Sequence, residues 1–175
     1  MNINNYDPTI NNSMFLSKVD NIFILLYTGI MFDDLNRVKH KMTPELFEKY
    51  KEILDENNSK NVRQMYDEIN VKTSSITNIT KTEDKIIVKV MLICRYMNYL
   101  VDKTTLKFKS GNDDTREEHT LTLTLEKRVD AKDIKVSMHC PACGSPANVN
   151  AYGVCPYCGT RFNTEDFDYI LTNIE

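Results

Sequence analysis

The sequence has little excess charge and few histidines, and both shortages limit what the protein can do. Its 22 Lys and Arg are outnumbered by 25 Asp and Glu, which gives a net charge of −3. Binding to nucleic-acid phosphates requires an excess of Lys and Arg, so a general nucleic-acid-binding protein is disfavoured. Glycine and proline are also scarce, and 41% of the residues are hydrophobic. That composition is ordinary for a globular protein.

The N-terminus lacks the pattern of a secretory signal peptide. Residues 1–12 are polar and rich in Asn, without a basic start followed by an apolar centre. The most hydrophobic run, residues 22–32, is shorter than the ~20 residues that a membrane span needs. These absences predict a reducing, cytoplasmic location and a flexible leader over residues 1–12.

Four of the five cysteines form a duplicated pattern near the C-terminus. The two segments are Cys140-Pro-Ala-Cys143-Gly and Cys155-Pro-Tyr-Cys158-Gly, and eleven residues separate Cys143 from Cys155. We call each Cys-x-x-Cys-Gly segment a hook. Two hooks supply the four thiolates of a closed tetrahedral site, the coordination that structural Zn²⁺ prefers. Two disulfides or a rubredoxin-type iron site are the alternatives, but nothing indicates an oxidising compartment, and iron usually comes with a longer loop between hooks. The pattern therefore predicts one structural zinc ion bound by Cys140, Cys143, Cys155 and Cys158.

The fifth cysteine and the N-terminal half are interpreted from hydrophobic periodicity. Cys94 lies in an apolar run, which predicts an unreactive buried thiol. Apolar residues at spacings of three and four predict a long helix from about Ser13. Thr43 as N-cap and Pro44 at the first helical position predict a second helix. The apolar positions Val62, Met65, Tyr66 and Ile69 predict a short third helix.

After Asn70 the hydrophobic period changes from 3.6 to 2, which predicts strands. Strands are expected over 71–80, 85–101, 119–129 and 167–174, with 85–101 central and a turn at 110–113. Helices followed by antiparallel strands indicate an α+β fold. We therefore expect a main domain over 13–138 plus 163–175, and a zinc ribbon at 139–162 inserted before the last strand.

This order of elements resembles the cone of the nuclear transport factor two-like (cystatin-like) superfamily, in which three N-terminal helices pack on a curved antiparallel sheet. Within it, the chain is similar to the bacterial Tim-forty-four-like group, named for the peripheral matrix subunit of the mitochondrial inner-membrane protein-import translocase. Family members often have Trp at the position of Tyr169. The likeness extends over about residues 13–175, and it is carried by segments 42–47, 86–99, 102–105, 111–112 and 168–171 together with both cysteine hooks.

The resemblance implies a zinc ribbon between the last two strands and a peripheral role at membranes or with transport machinery. We therefore expect a non-catalytic, zinc-stabilised adaptor that binds a protein partner. An apolar ligand or a membrane surface is the alternative partner. The protein would then be located in the cytoplasm, peripherally at the inner face of the membrane. A small-molecule enzyme with a pocket in the cone and a nucleic-acid-binding zinc ribbon remain alternatives.

The enzyme alternative depends on few polar side chains. His40 is expected at a Lys-rich helix end, His119 in a solvated loop, and His139 beside the first hook as a group near the metal or an alternative ligand. Asp102 and Arg95 are the other candidates, and an ion pair is expected for Arg95. No nucleophile–base pair or phosphate-binding glycine loop is visible in the sequence. The sequence therefore predicts that the protein is not an enzyme.

Overall fold

A computed structural model describes residues 1–131, 155–159 and 168–175. The two α-helices among these residues each begin after a capping side chain, and the cap of the second is the predicted Thr43. Helix α1 (Asn12–Phe32) follows Asn11, whose side chain accepts a hydrogen bond from the Met14 amide at 2.9 Å. Helix α2 (Pro44–Ser59) follows Thr43, whose hydroxyl accepts from the Leu46 amide at 3.4 Å. Each cap satisfies a backbone donor that has no partner within the helix. Short 3-10 turns lie at Ile3–Asn5 and Lys39–Lys41.

The strands form one antiparallel sheet in sequence order, and an α+β fold is confirmed. The four strands are β1 (Val62–Lys81), β2 (Lys85–Asp102), β3 (Phe108–Arg128) and β4 (Ile170–Ile174). Strand β2 pairs with β1 on one side and β3 on the other, as its hydrophobic character predicts. The final strand also forms, and it pairs with β3.

The predicted third helix is wrong, because its residues begin strand β1. Val62 pairs with Asp102 and Tyr66 with Asn98 across the sheet. A β-bulge between Asp67 and Asn70 shifts the register, and Glu68 within it has φ 53°. Extra residues at a bulge interrupt the alternation of a strand. The bulge displaces only Ile69 from the alternation. Residues 62–67, which precede it, are all half-buried, so apolar side chains are not confined to one face there and their spacings of three and four imitate a helix.

The predicted turn at 110–113 is also wrong, because the chain reverses earlier, between Asp102 and Phe108. Ser110 pairs with Leu100 and Gly111 with Tyr99 inside the β2–β3 ladder. Gly111 has φ 105°, and a Cβ atom there would lie 2.5 Å from the Asn98 carbonyl oxygen. Glycine marks a close approach of two strands here rather than a turn.

The hydrophobic core lies between α1 and one face of the sheet. From α1 it contains Phe15, Val19, Phe23 and Leu26, and from the sheet it contains Ile86, Val88, Val90, Leu92, Cys94, Leu123 and Leu125. Ile3 and Ile10, with 0% and 6% exposure, also belong to it. This packing of residues 1–12 differs from the flexible leader that their polar composition predicted. Burying each isoleucine contributes roughly 1.5–3 kcal/mol.

Helix α1 is long and apolar enough to cross a membrane by length and composition alone. The expectation concerned only residues 22–32, whereas the helix that passes this test is Asn12–Phe32, with polar and charged residues such as Lys18 and Asp20 in its first half. Core helices pass the same test. In this fold eight of its residues, from Phe15 to Ile30, are buried. The property is weak evidence for a membrane span.

Candidate functional site

The second cysteine hook is a tight turn within the described residues. Cys155 is 2% exposed, whereas Cys158 is exposed. The Gly159 amide donates to the Cys155 carbonyl oxygen at 3.0 Å, and Gly159 has φ 72°. Glycine adopts this left-handed conformation without steric cost. The turn therefore keeps both cysteines on one short loop, which is the local arrangement that a chelating thiolate pair requires.

Half of the predicted metal centre lies outside the described residues. Cys140 and Cys143 are in that part, as is His139, so the four-cysteine site stays a prediction. The described cysteines lie in sequence between β3 and β4, which are neighbours in the sheet. Within residues 1–131, 155–159 and 168–175, no group of three or more His, Cys, Asp or Glu is close enough to hold a metal ion. The observed hook fits a zinc site as one of its two halves.

A polar cluster around the buried Asp7 lies where the chain leaves β3 and returns to β4. We call it the junction; it consists of Asp7, Thr9, Lys127 and Tyr169. The Lys127 ammonium donates to Asp7 Oδ2 at 2.8 Å, and their side chains are 14% and 5% exposed. The Tyr169 hydroxyl donates to the same oxygen at 3.1 Å, while the Thr9 hydroxyl donates to Asp7 Oδ1 at 2.6 Å. The junction therefore ties the N-terminal segment to both ends of the inserted stretch.

The junction stabilises the charged form of Asp7. Burial by itself raises the pKa of this carboxyl group, but hydrogen bonds from Lys127 and Thr9 and the charge of Lys127 hold the pKa below its usual value. Burial and the neighbouring Asp7 carboxylate raise the pKa of Tyr169, so its hydroxyl remains a donor. Nearby, Lys18 donates to both oxygens of Asp168 at 2.7 and 2.8 Å. Both carboxylates, Asp7 and Asp168, are thus paired with a lysine, which is typical of a cluster that stabilises the fold.

His119 does not lie in a solvated loop, so that expectation is wrong. It lies inside β3, and its ring stacks on Tyr96 with centroids 4.2 Å apart and an interplanar angle of 10°. Tyr96 in turn contacts Tyr27 and Tyr66. This aromatic cluster between α1 and the sheet was not predicted, because the alternation of β2 shows only that Tyr96 faces inward.

Cys94 is a buried thiol, as predicted. It is fully buried on β2, and burial raises the pKa of the thiol to about 11. The thiol donates to the His119 carbonyl oxygen at 3.7 Å. Since the thiolate is the reactive form, this residue is poorly suited to nucleophilic chemistry.

His40 lies in the 3-10 turn Lys39–Lys41 rather than at an α-helix end. Burial and the charge of Lys41 lower its pKa, so the neutral imidazole is favoured. A helix end would instead favour the charged form and raise the pKa. Burial of the ring and the neighbouring Lys41 disfavour the cation here.

The two other polar candidates have structural partners. Arg95 Nε lies 3.0 Å from Glu118 Oε2, which confirms the predicted ion pair. The Asp102 carboxylate accepts hydrogen bonds from the Thr104 and Thr105 amides at 3.0 and 2.9 Å. With a further bond from Lys109, these hold the pKa of Asp102 at about 2. Asp102 therefore organises the loop between β2 and β3.

A family model for the Tim44-like domain matches residues 1–137. The chain belongs to the Tim44-like domain family. The match ends before the first cysteine hook, so the predicted metal ligands lie beyond it. The predicted resemblance to Tim-forty-four-like proteins is therefore confirmed for the domain over residues 1–137.

A comparison with solved structures gives a distant likeness to this Tim44-like domain. The crystal structure of the intermembrane space region of the chloroplast protein ARC6 aligns with a TM-score of 0.44 and 9% identity, over 91% of this chain and 93% of that chain. A likeness of that size is too weak to support a functional conclusion. A search of curated proteins gives no match.

Proposed function

We propose that this Tim44-like domain is a non-catalytic binding module that acts with membrane-associated protein-transport machinery and recognises a protein partner. The observation that carries the proposal is the family match over residues 1–137. A peripheral position at the membrane is part of the proposal, because the family resemblance implies it.

The contacts of the polar candidates support a non-catalytic role. Arg95 is paired with Glu118, Asp102 accepts hydrogen bonds from its own loop, and Cys94 is buried with a raised pKa. General acid–base chemistry needs a group that can reach substrate with a pKa near the working pH. These three residues instead stabilise the sheet and its loop.

We further propose that Cys140, Cys143, Cys155 and Cys158 bind one structural zinc ion. The tight turn at Cys155 and Gly159 supports one half of this site. A four-thiolate site leaves no open position for substrate, so the metal would supply folding energy, typically ~10–16 kcal/mol, and no reaction chemistry.

Purified protein is expected to contain one zinc ion per chain by elemental analysis. Cys155→Ser removes one of four ligands, so we expect a large loss of zinc and a lower melting temperature. Cys94→Ala is the matched control, because it removes a cysteine outside the site and should leave the zinc content unchanged. Iron in place of zinc, or full zinc occupancy in Cys155→Ser, would contradict the assignment.

The membrane part of the proposal is tested by flotation of the wild-type protein with vesicles. We expect binding to vesicles of phosphatidylglycerol and phosphatidylcholine at low salt, and weaker binding as the salt concentration rises, because exposed charges are screened. Pure phosphatidylcholine vesicles are the control. Absence of flotation with anionic vesicles at low salt would remove the membrane role and leave only the protein partner.

A further inference from the structure

The loop between β2 and β3, together with the first two residues of β3, presents large apolar side chains between lysines. Residues 103–109 read Lys-Thr-Thr-Leu-Lys-Phe-Lys and contain no acidic residue. Leu106 is 61% exposed and Phe108 is 50% exposed. We call residues 103–109 the tip. It combines the two properties that hold a protein at a lipid surface, namely apolar groups that insert and basic groups that meet the headgroups.

The tip is held in one conformation rather than being a loose loop. Asp102 closes it from both sides, because its carbonyl oxygen accepts from the Leu106 amide and its amide donates to the Lys107 carbonyl oxygen, both at 2.8 Å. The Lys103 amide donates to the Asn61 carbonyl oxygen at 3.0 Å, which ties the tip to the start of β1. The exposed apolar residues are therefore displayed by a preorganised frame.

Leu106 has a backbone conformation that a leucine rarely adopts. Its φ is 58°, in the left-handed region where Gly or Asn carries little steric cost. With 61% of the residue exposed, its side chain buries little against the rest of the described chain. An exposed leucine at this position thus adds backbone strain without a matching gain in packing. Contact of the Leu106 side chain with another molecule would explain why a leucine is placed at this strained position.

Further residues at the same end of the molecule add to this surface. Lys103 Nζ lies 2.6 Å from Asp33 Oδ2, which places the end of α1 beside the tip. Phe32, the last residue of α1, is 67% exposed. Lys109 is paired with Asp102 at 3.2 Å, whereas Lys107 has no ion pair among the described residues. Lys107 therefore contributes most to the free positive charge.

We propose that the tip, with Phe32, docks on an anionic lipid surface. Exposed apolar side chains on a tight loop suit insertion between headgroups, whereas apolar recognition of a helix by a protein uses a groove. The proposal rests on the membrane part of the proposed function and assigns it to named residues. Leu106 and Phe108 enter the interface, and Lys107 lies at headgroup level.

The chain has no tryptophan, so a single Trp reports local environment without background. Phe108→Trp is expected to show a blue-shifted emission with phosphatidylglycerol-containing vesicles and no shift with pure phosphatidylcholine. Met14→Trp is the control: Met14 is 55% exposed, and it lies about 27 Å from Phe32 along α1, at 1.5 Å per residue. We expect no shift for that variant.

The second measurement is flotation of Leu106→Asn/Phe108→Ser. Asn fits the left-handed backbone, so the circular dichroism spectrum should be that of the wild type. Binding of the double variant to anionic vesicles should be about tenfold weaker or more, since it lacks the two apolar side chains that insert into the lipid. Met14→Gln should bind as the wild type does.

The possible outcomes separate this inference from the proposed function. If the wild type does not float, the membrane role and the tip proposal both fail. If the wild type floats and the double variant floats equally, only the tip proposal is overturned. Equal binding of wild type to neutral and anionic vesicles would overturn the role of Lys107. A blue shift of Phe108→Trp with a partner protein alone would make the tip a protein-binding surface and overturn lipid docking.

Discussion

Replacing Lys127 by Met is expected to lower the free energy of unfolding by about 3–5 kcal/mol, because it leaves a buried carboxylate without its cation. Asp7 and Lys127 have side chains that are 5% and 14% exposed. After the substitution Asp7 would keep the hydroxyl groups of Thr9 and Tyr169, which donate hydrogen bonds but carry no positive charge. Chemical denaturation followed by circular dichroism measures the change.

Two controls separate burial from charge in that experiment. Lys72→Met removes a lysine of the ion pair with Glu118, whose side chains are 44% and 43% exposed, and should cost at most about 1 kcal/mol. Asp7→Asn/Lys127→Met removes both charges and should be less harmful than Lys127→Met alone. If Lys127→Met costs no more than Lys72→Met, the junction does not stabilise the fold as argued.

The contribution of Asp7 to the free energy of unfolding is expected to fall as the pH is lowered. The pKa of Asp7 is lower in the folded state than its ordinary value of 3.8. The stability that its charged form contributes is therefore present above that ordinary pKa and is lost as the pH falls through the folded pKa. The difference in stability between wild type and Asp7→Asn should accordingly be full at neutral pH and narrow below about pH 4. If the difference in stability between wild type and Asp7→Asn stayed constant from neutral pH to below about pH 4, the ionisation of Asp7 would not be its cause.

Local signals in the sequence predicted the elements whose causes are local. The Thr43-Pro44 start of α2 depends on a cap and a fixed backbone angle within one turn. The inward parity of β2 depends on alternation alone, and Val88, Val90 and Leu92 are fully buried as it predicts. The Arg95–Glu118 pair needed only a carboxylate on the neighbouring strand.

The junction could not be predicted, because its members are far apart in the chain. Asp7 meets Lys127 across 120 residues and Tyr169 across 162. In the sequence Asp7 is one polar residue in an Asn-rich segment, and nothing nearby marks it as buried. The cysteine hooks show the same difference between local and long-range causes. Their spacing predicts each turn, but whether both hooks meet on one ion depends on packing between them.

Replacing Gly111 by Ala is expected to destabilise the protein by roughly 2–4 kcal/mol. Its φ of 105° is unfavourable for any residue with a side chain. The new Cβ would also lie 2.5 Å from the Asn98 carbonyl oxygen and 2.6 Å from Tyr99 Cα. Both are backbone atoms of the central strand β2, so relief requires the ladder itself to shift. Thermal and chemical unfolding measure the loss.

Gly159→Ala is the control, since Gly159 has a φ of 72° but no atom of residues 1–131, 155–159 or 168–175 lies within 4 Å of the added Cβ. Backbone strain alone should cost it about 1 kcal/mol, as for other left-handed residues. A smaller effect of Gly111→Ala than of Gly159→Ala would mean that β2 and β3 do not approach so closely.

Gly111→Asn distinguishes the observed strand from the turn that the sequence predicted at 110–113. Asn tolerates positive φ and is a favourable turn residue, so in a turn it would restore most of the stability lost with Ala. In the ladder the clash comes from the Cβ atom, which Asn and Ala share. We therefore expect Asn to be as destabilising as Ala at this position. The strand pairing of Gly111 with Tyr99, rather than the residue preference for turns, would then be the reason that the position requires glycine.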